Sequence, residues 1–156
     1  MKIIMLAGKG NKGKTKTLKM VYDRLSNNIK PIHYQEFKHP ITDIECYPLY
    51  HHDKKVALYT EGDEWIYIKD AIIKFNCIGA DVLIISFSED EIKKEAAKNK
   101  DIREDLFMEI FKPDNLKDIQ PHFVIQKRVS PDPKNSKTNE ENNEKDCQAI
   151  IDRITR

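Results

Sequence analysis

Short apolar runs along this chain alternate with stretches whose apolar residues return every three to four positions, the pattern of strands interleaved with helices in an open α/β sheet. The run Ile3-Ile4-Met5-Leu6-Ala7 predicts a first strand over Lys2 to Leu6. Leu18, Val21, Tyr22 and Leu25 share one helical face and predict a helix from about Lys14 to Ser26, stopped by Asn27-Asn28. Pro31 opens a short second strand near Ile32 to Phe37, whereas His39 to Asp53, interrupted by Pro40 and Pro48, reads as a long irregular connection. Val56 to Thr60 is a strand, and Ile68, Ala71, Ile72 and Phe75 mark the buried face of a helix over Glu64 to Asn76 that Gly79 closes. Val82 to Ser88 is the most strand-like segment, and its unbroken apolar character belongs at the centre of a parallel sheet. Glu89-Asp90-Glu91 opens a charged helix to about Lys100, more helix is expected from Ile102 to Phe111, and Pro121 to Gln126 reads as a last strand. The polar stretch 130–145 reads as a mobile loop, after which Cys147, Ile150, Ile151 and Ile154 return at helical spacing. The expected fold is therefore a single three-layer α/β/α domain over residues 1–156, with a mainly parallel sheet of about five strands.

Between the first strand and the first helix lies Gly8-Lys9-Gly10-Asn11-Lys12-Gly13-Lys14-Thr15, which satisfies G-x-x-x-x-G-K-[ST] at every fixed position. A triphosphate needs a concave backbone with N–H groups turned inward, and glycines at 8, 10 and 13 allow a tight turn with no Cβ between amide and phosphate. The first turn of the following helix adds N–H groups that lack intrahelical acceptors and the positive end of the helix dipole. In this arrangement Lys14, expected to be partly exposed, reaches the β- and γ-phosphates, Thr15 supplies one oxygen to an octahedral Mg2+, and Lys16 extends the amide cradle. The strand before the loop and the amphipathic helix after it argue against a plain lysine-rich surface turn.

With these residues the chain resembles the P-loop NTPase superfamily, over about its first 25 residues. Read from Lys9, the loop also resembles the deviant Walker A form K-G-G-x-G-K-[ST] of partition ATPases and the nitrogenase iron protein, with Asn11 in place of a glycine. That resemblance implies a P-loop NTPase fold, ATP hydrolysis with Mg2+, and a nucleotide-dependent homodimer in which Lys9 reaches a phosphate on the partner's nucleotide. The plain alternative for Lys9 is a solvated loop lysine.

Ligands of open parallel sheets collect at the carboxyl ends of strands, so acids placed there compete to support the metal. Thr60-Glu61-Gly62-Asp63 resembles the D-T-x-G turn of GTPases and partition ATPases, with Tyr59 standing where their aspartate would be, and Asp63 or Glu61 is the first candidate. Glu89 and Asp90, after the second long apolar strand, are the rival, although acids at a helix start also serve its dipole. Lys127-Arg128, after the last strand, would border the nucleotide base. Because the guanine-reading N-K-x-D pattern is absent, ATP is expected by default, with GTP left open. Trp65, just past Asp63, would pack beneath the site or meet a partner. Lys93, Lys94, Lys98, Lys100 and Arg103 read as a solvated helix face or as a lid over the triphosphate.

Composition adds exclusions. The 27 Lys plus Arg against 26 Asp plus Glu leave no basic field, so nucleic-acid binding is not indicated by charge. No apolar stretch approaches the ~20 residues that span a bilayer, and the chain enters a strand at once without a leader, so a cytosolic protein is expected. Cys46, Cys77 and Cys147 are odd in number and widely spaced, as reduced thiols are, and His51-His52-Asp53 lacks metal-ligand spacing. The function expected from these features is a small Mg2+-dependent ATPase acting as a switch. The alternatives are a phosphotransferase acting on a nucleotide or other small acceptor, and a nucleotide-binding module with little turnover.

Overall fold

The computed structural model describes residues 1–10, 13–26, 31–38, 42–91, 94, 122–132 and 134–155. Asn11 and Lys12, the helix expected from Ile102 to Phe111, and Lys93, Lys98, Lys100 and Arg103 lie outside the described residues, as does the side chain of Trp65.

In chain order the elements are β1 (Lys2–Gly8), α1 (Lys14–Ser26), β2 (His33–Lys38), β3 (Thr42–His51), β4 (Lys54–Tyr59), α2 (Trp65–Cys77), β5 (Val82–Ser88), β6 (His122–Gln126) and α3 (Ser136–Ile154). Among the described residues the strands form one six-stranded sheet in the order β2-β3-β4-β5-β1-β6. β1 lies parallel to both β5 and β6, and β4 parallel to β5. β3 runs antiparallel to β4 and to β2, so the sheet is mixed rather than mainly parallel.

The period of two along the strands divides the core. Ile3, Met5 and Ala7 of β1 and Leu83, Ile85 and Phe87 of β5 meet Ile68, Ala71, Ile72 and Phe75 of α2 on one face. Ile4, Leu6, Val82 and Ile84 turn to the other face, against Leu18, Val21 and Leu25 of α1 and Cys147, Ile150 and Ile154 of α3. Burial on both faces explains why β1 and β5 read as unbroken apolar runs. No helix among the described residues is long and apolar enough to cross a membrane.

Two segments also depart from the secondary structure expected of them. The segment expected as an irregular connection over His39 to Asp53 contains β3, which buries Ile44, Cys46 and Leu49 and turns back into β4 through His52, a residue with φ of 53°. Its pattern is obscured because the ladder shifts register between Cys46 and Leu49, around Pro48, which has no N–H to donate. Glu45, also buried, is ion-paired with Lys74 of α2. The loop expected over 130–145 is helical from Ser136, where Asn135 caps α3 by accepting the Thr138 N–H at 3.1 Å. Hydrophobic spacing misses this half of α3 because its buried positions, Asn143 and Asp146, are polar.

At the end of β4 the chain passes against the backbone of β5. A Cβ on Gly62 would lie 2.0 Å from Ser86 O and 2.4 Å from Ser86 C, while the Gly62 carbonyl accepts the Ser88 N–H at 2.8 Å. Gly62→Ala must therefore displace backbone, and we expect a loss of ~3 kcal/mol or more in urea unfolding, at the upper end for overpacking. A variant as stable as the parent protein would show that this approach is not tight.

Candidate phosphate-binding site

The loop after β1 ends at the carboxyl edge of the sheet and enters α1 through Gly13, whose φ of 81° favours glycine. The first helical bond of α1 runs from Thr17 N–H to Gly13 O at 3.1 Å. The N–H groups of residues 14–16 precede that bond and project from the helix N-terminus without intrahelical acceptors.

Lys14 folds back over the loop and donates to Gly8 O at 3.1 Å and Lys9 O at 2.8 Å. Expected to be partly exposed, it is only 5% exposed. Burial lowers its pKa, against the opposing influence of Asp63, Asp90, Glu89 and Asp43. A desolvated cation at a helix N-terminus is suited to an anionic ligand, and the surrounding carboxylates call for a cation to accompany that ligand.

Thr15, the expected metal residue, hydrogen-bonds through its hydroxyl to Asp43 Oδ1 at 3.4 Å. The same oxygen accepts from the Thr60 hydroxyl at 2.7 Å, and Thr60 in turn accepts the Ile44 N–H at 2.8 Å. Thr60 N–H donates to Ile44 O at 3.0 Å, so the start of β3 is laced to the end of β4 and Asp43 is delivered to the loop. Burial raises the Asp43 pKa, and the neighbouring Asp63 adds to this, while the Thr60 and Thr15 hydrogen bonds and Lys14 oppose it. Sequence reasoning missed Asp43 because β3 was not recognised. The available signal was the alternation of Ile44 and Cys46 beside the clean strand at Val56 to Tyr59.

The acids named from sequence divide by partner. Asp63 is exposed and accepts the Ser88 hydroxyl; among the carboxylates that raise the Lys14 pKa, it is the largest influence. Glu61 accepts the Tyr59 hydroxyl at 3.1 Å, and burial raises its pKa. Asp90 accepts the Gly10 N–H at 2.6 Å, a bond that lowers its pKa and ties the glycine-rich loop to the end of β5. Glu89 accepts from Gln126 at 3.1 Å. Thus the structure brings Asp43 to Thr15 and Asp90 to the loop backbone, and leaves Asp63 beside Lys14.

Of the remaining loop residues, Lys9 is exposed, and Lys16 lies 4.0 Å from Glu140 of α3. Lys127, expected near the base, is 8% exposed and turns its ammonium to Asp146 Oδ2 at 2.9 Å. What it presents to the loop is its stem, since a Cβ on Gly8 would lie 3.0 Å from Lys127 Cβ. His51 and His52 meet edge to face at the β3–β4 turn, at the opposite end of β4 from the loop, and the three cysteines are free. Among the described residues no group of three or more His, Cys, Asp or Glu is arranged to hold a metal ion. The hydroxyl of Thr15 and the carboxylate of Asp43 are hard oxygen donors, and such a pair fits Mg2+, which takes few protein ligands and fills its shell with water and phosphate oxygens. Comparison with protein-family models, with curated proteins and with solved structures finds no match.

Proposed function

We propose that this chain is a P-loop nucleoside-triphosphate-binding protein that hydrolyses ATP with Mg2+ and acts as a switch, within a single cytosolic domain. The observation that carries this reading is the meeting of Thr15, next to the buried Lys14 at the N-terminus of α1, with the Asp43 carboxylate. Bound Mg2+ would neutralise charge on the β- and γ-phosphate oxygens. The amides of residues 13–16 and the Lys14 ammonium bind the phosphates, and for this Lys14 exchanges Gly8 O and Lys9 O for phosphate oxygens. Thr15 and Asp43 would hold the Mg2+, directly or through its water, while Asp63 would orient the attacking water. Asp90 keeps the Gly10 amide in place through its 2.6 Å bond.

Phosphate release with ATP or GTP, with and without Mg2+, tests this reading. Basal Mg2+-dependent release supports hydrolysis, turnover only with an added acceptor identifies a phosphotransferase, and binding without turnover identifies a passive module. Asp63→Asn is expected to slow release roughly tenfold or more while ATP affinity stays within a few-fold, because a residue that only orients water acts in the transition state. Equal losses in affinity and rate would assign Asp63 to binding instead. For Lys9, a monomer-to-dimer shift with ATP and Mg2+ that Lys9→Ala abolishes would support a lysine crossing to a partner's phosphate. A monomer throughout would leave Lys9 a solvated residue.

A further inference from the structure

The strongest feature not used above is a buried polar cluster that joins α3 to the underside of the phosphate loop. Asp146 is fully buried and accepts at both carboxylate oxygens. Lys127 Nζ donates to Oδ2 at 2.9 Å, Arg128 N–H donates to Oδ2 at 3.0 Å, and the Arg128 guanidinium donates to Oδ1. The Lys127 ammonium is completed by Arg128 O at 2.7 Å, and the Lys127 N–H donates to Ala7 O at 2.8 Å, at the last residue before the loop. Lys127 is therefore tied to β1 through its backbone and to α3 through its side chain, which is 1% exposed.

Two loop glycines rest on this assembly. A Cβ on Gly8 would meet Lys127 Cβ at 3.0 Å, and one on Gly13 would meet Asn143 Oδ1 at 3.7 Å and Lys127 Cε at 4.0 Å. One turn further on, the Thr17 hydroxyl bonds Asn143 Oδ1 at 3.1 Å, with Gly13 O at 3.3 Å. The outer contacts of the same half of α3 with α1 are also polar, pairing Lys16 with Glu140 and Arg24 with Glu144 and Gln148.

A buried ion pair adds little net stability, because desolvating both charges offsets their attraction. A glycine-rich loop, however, binds phosphate well only if its amides are already held in place, and directional bonds from a second layer of residues do that better than apolar packing. The geometry points to α3 as a clasp on the phosphate loop, in which Asp146 acts through Lys127 and Asn143 acts through Thr17 as positioning residues. This inference rests on the triphosphate reading of the loop. Coupling is reciprocal, so ATP with Mg2+ should also protect the amides of residues 136–147 from exchange.

Hydrogen exchange of the nucleotide-free full chain reads the clasp without relying on nucleotide binding. In Asp146→Asn, amides of residues 8–16 are expected to exchange about tenfold faster while those of β5, residues 82–88, keep the rate of the parent protein, and ATP affinity should fall on the order of tenfold, within the usual range of coupling between sites. Thr17→Val, which removes one hydroxyl at nearly constant volume, should produce the same local pattern more weakly and carries the test if Asp146→Asn does not fold. Loop exchange unchanged in the folded variants, or accelerated equally in β5, would overturn the clasp and leave the cluster as general support for the fold. Absence of any ATP or GTP binding by the unmodified protein would instead sink the triphosphate reading, and the exchange pattern would still decide the clasp.

Discussion

Lys14→Met should lower affinity for ATP with Mg2+ by about 10^2-fold or more, since two charge-assisted hydrogen bonds of ~1.5–3 kcal/mol each are lost to the phosphates. Methionine keeps most of the buried stem, so the fold should survive. Because burial holds the Lys14 pKa below its ordinary value near 10.5, the unfolded chain binds more protons than the folded one between the lowered value and 10.5, and the contribution of Lys14 to stability rises with pH across that window. Removing the ammonium removes this rise. Thermal unfolding of Lys14→Met near neutral pH should therefore occur at or above the temperature of the unmodified protein, with a smaller gain toward alkaline pH. A variant that binds ATP normally would remove the basis of the proposed function, and one that unfolds far earlier would make Lys14 a structural residue.

Asp43→Asn should slow Mg2+-dependent turnover by about 10^2-fold, a loss typical of removing one electrostatic group from a transition state. Its side chain oxygen can still accept from Thr60 and Thr15, so the lacing of β3 to β4 is retained. The Asp43 pKa is raised in the fold, chiefly by burial, so the folded chain binds more protons between the ordinary value near 3.8 and the raised one. Its contribution to stability is present at low pH and is lost as pH rises through that window, and the uncharged variant should be at least as stable at neutral pH. Comparing phosphate release and Mg2+ dependence in Asp43→Asn and Asp63→Asn separates the two acids. If Asp43→Asn retains turnover within a few-fold and Asp63→Asn does not, the metal-holding role returns to Asp63.

These two residues were not equally visible beforehand. Lys14 and Thr15 belong to a local unit, a strand, a glycine-rich turn and an amphipathic helix, whose geometry is dictated within about 25 consecutive residues by periodicity and glycine placement. β4, α2 and β5 were legible for the same reason, because each buries its own apolar face with the regular spacing of a strand or helix. The burial of Lys14 was not, since it depends on carbonyls of the loop and acids drawn from three other parts of the chain.

What tertiary structure alone decided concerns polar groups whose partners are remote in sequence. Asp43 is brought to Thr15 only by the pairing of β3 against β4, and that strand is disguised by Pro48 and by the shifted register around it. Asp90 reads from sequence as a rival metal acid or a helix-dipole acid, and its bond to the Gly10 amide, 80 residues away, exists only in the fold. The first half of α3 looked like solvent-exposed loop because its buried side chains, Asn143 and Asp146, are hydrophilic; their helical spacing signifies burial only where Thr17 and Lys127 are present to satisfy them. Apolar burial can be read from one segment because any apolar neighbour suffices, whereas a buried polar group needs one particular partner at hydrogen-bond distance, and only the folded chain supplies it.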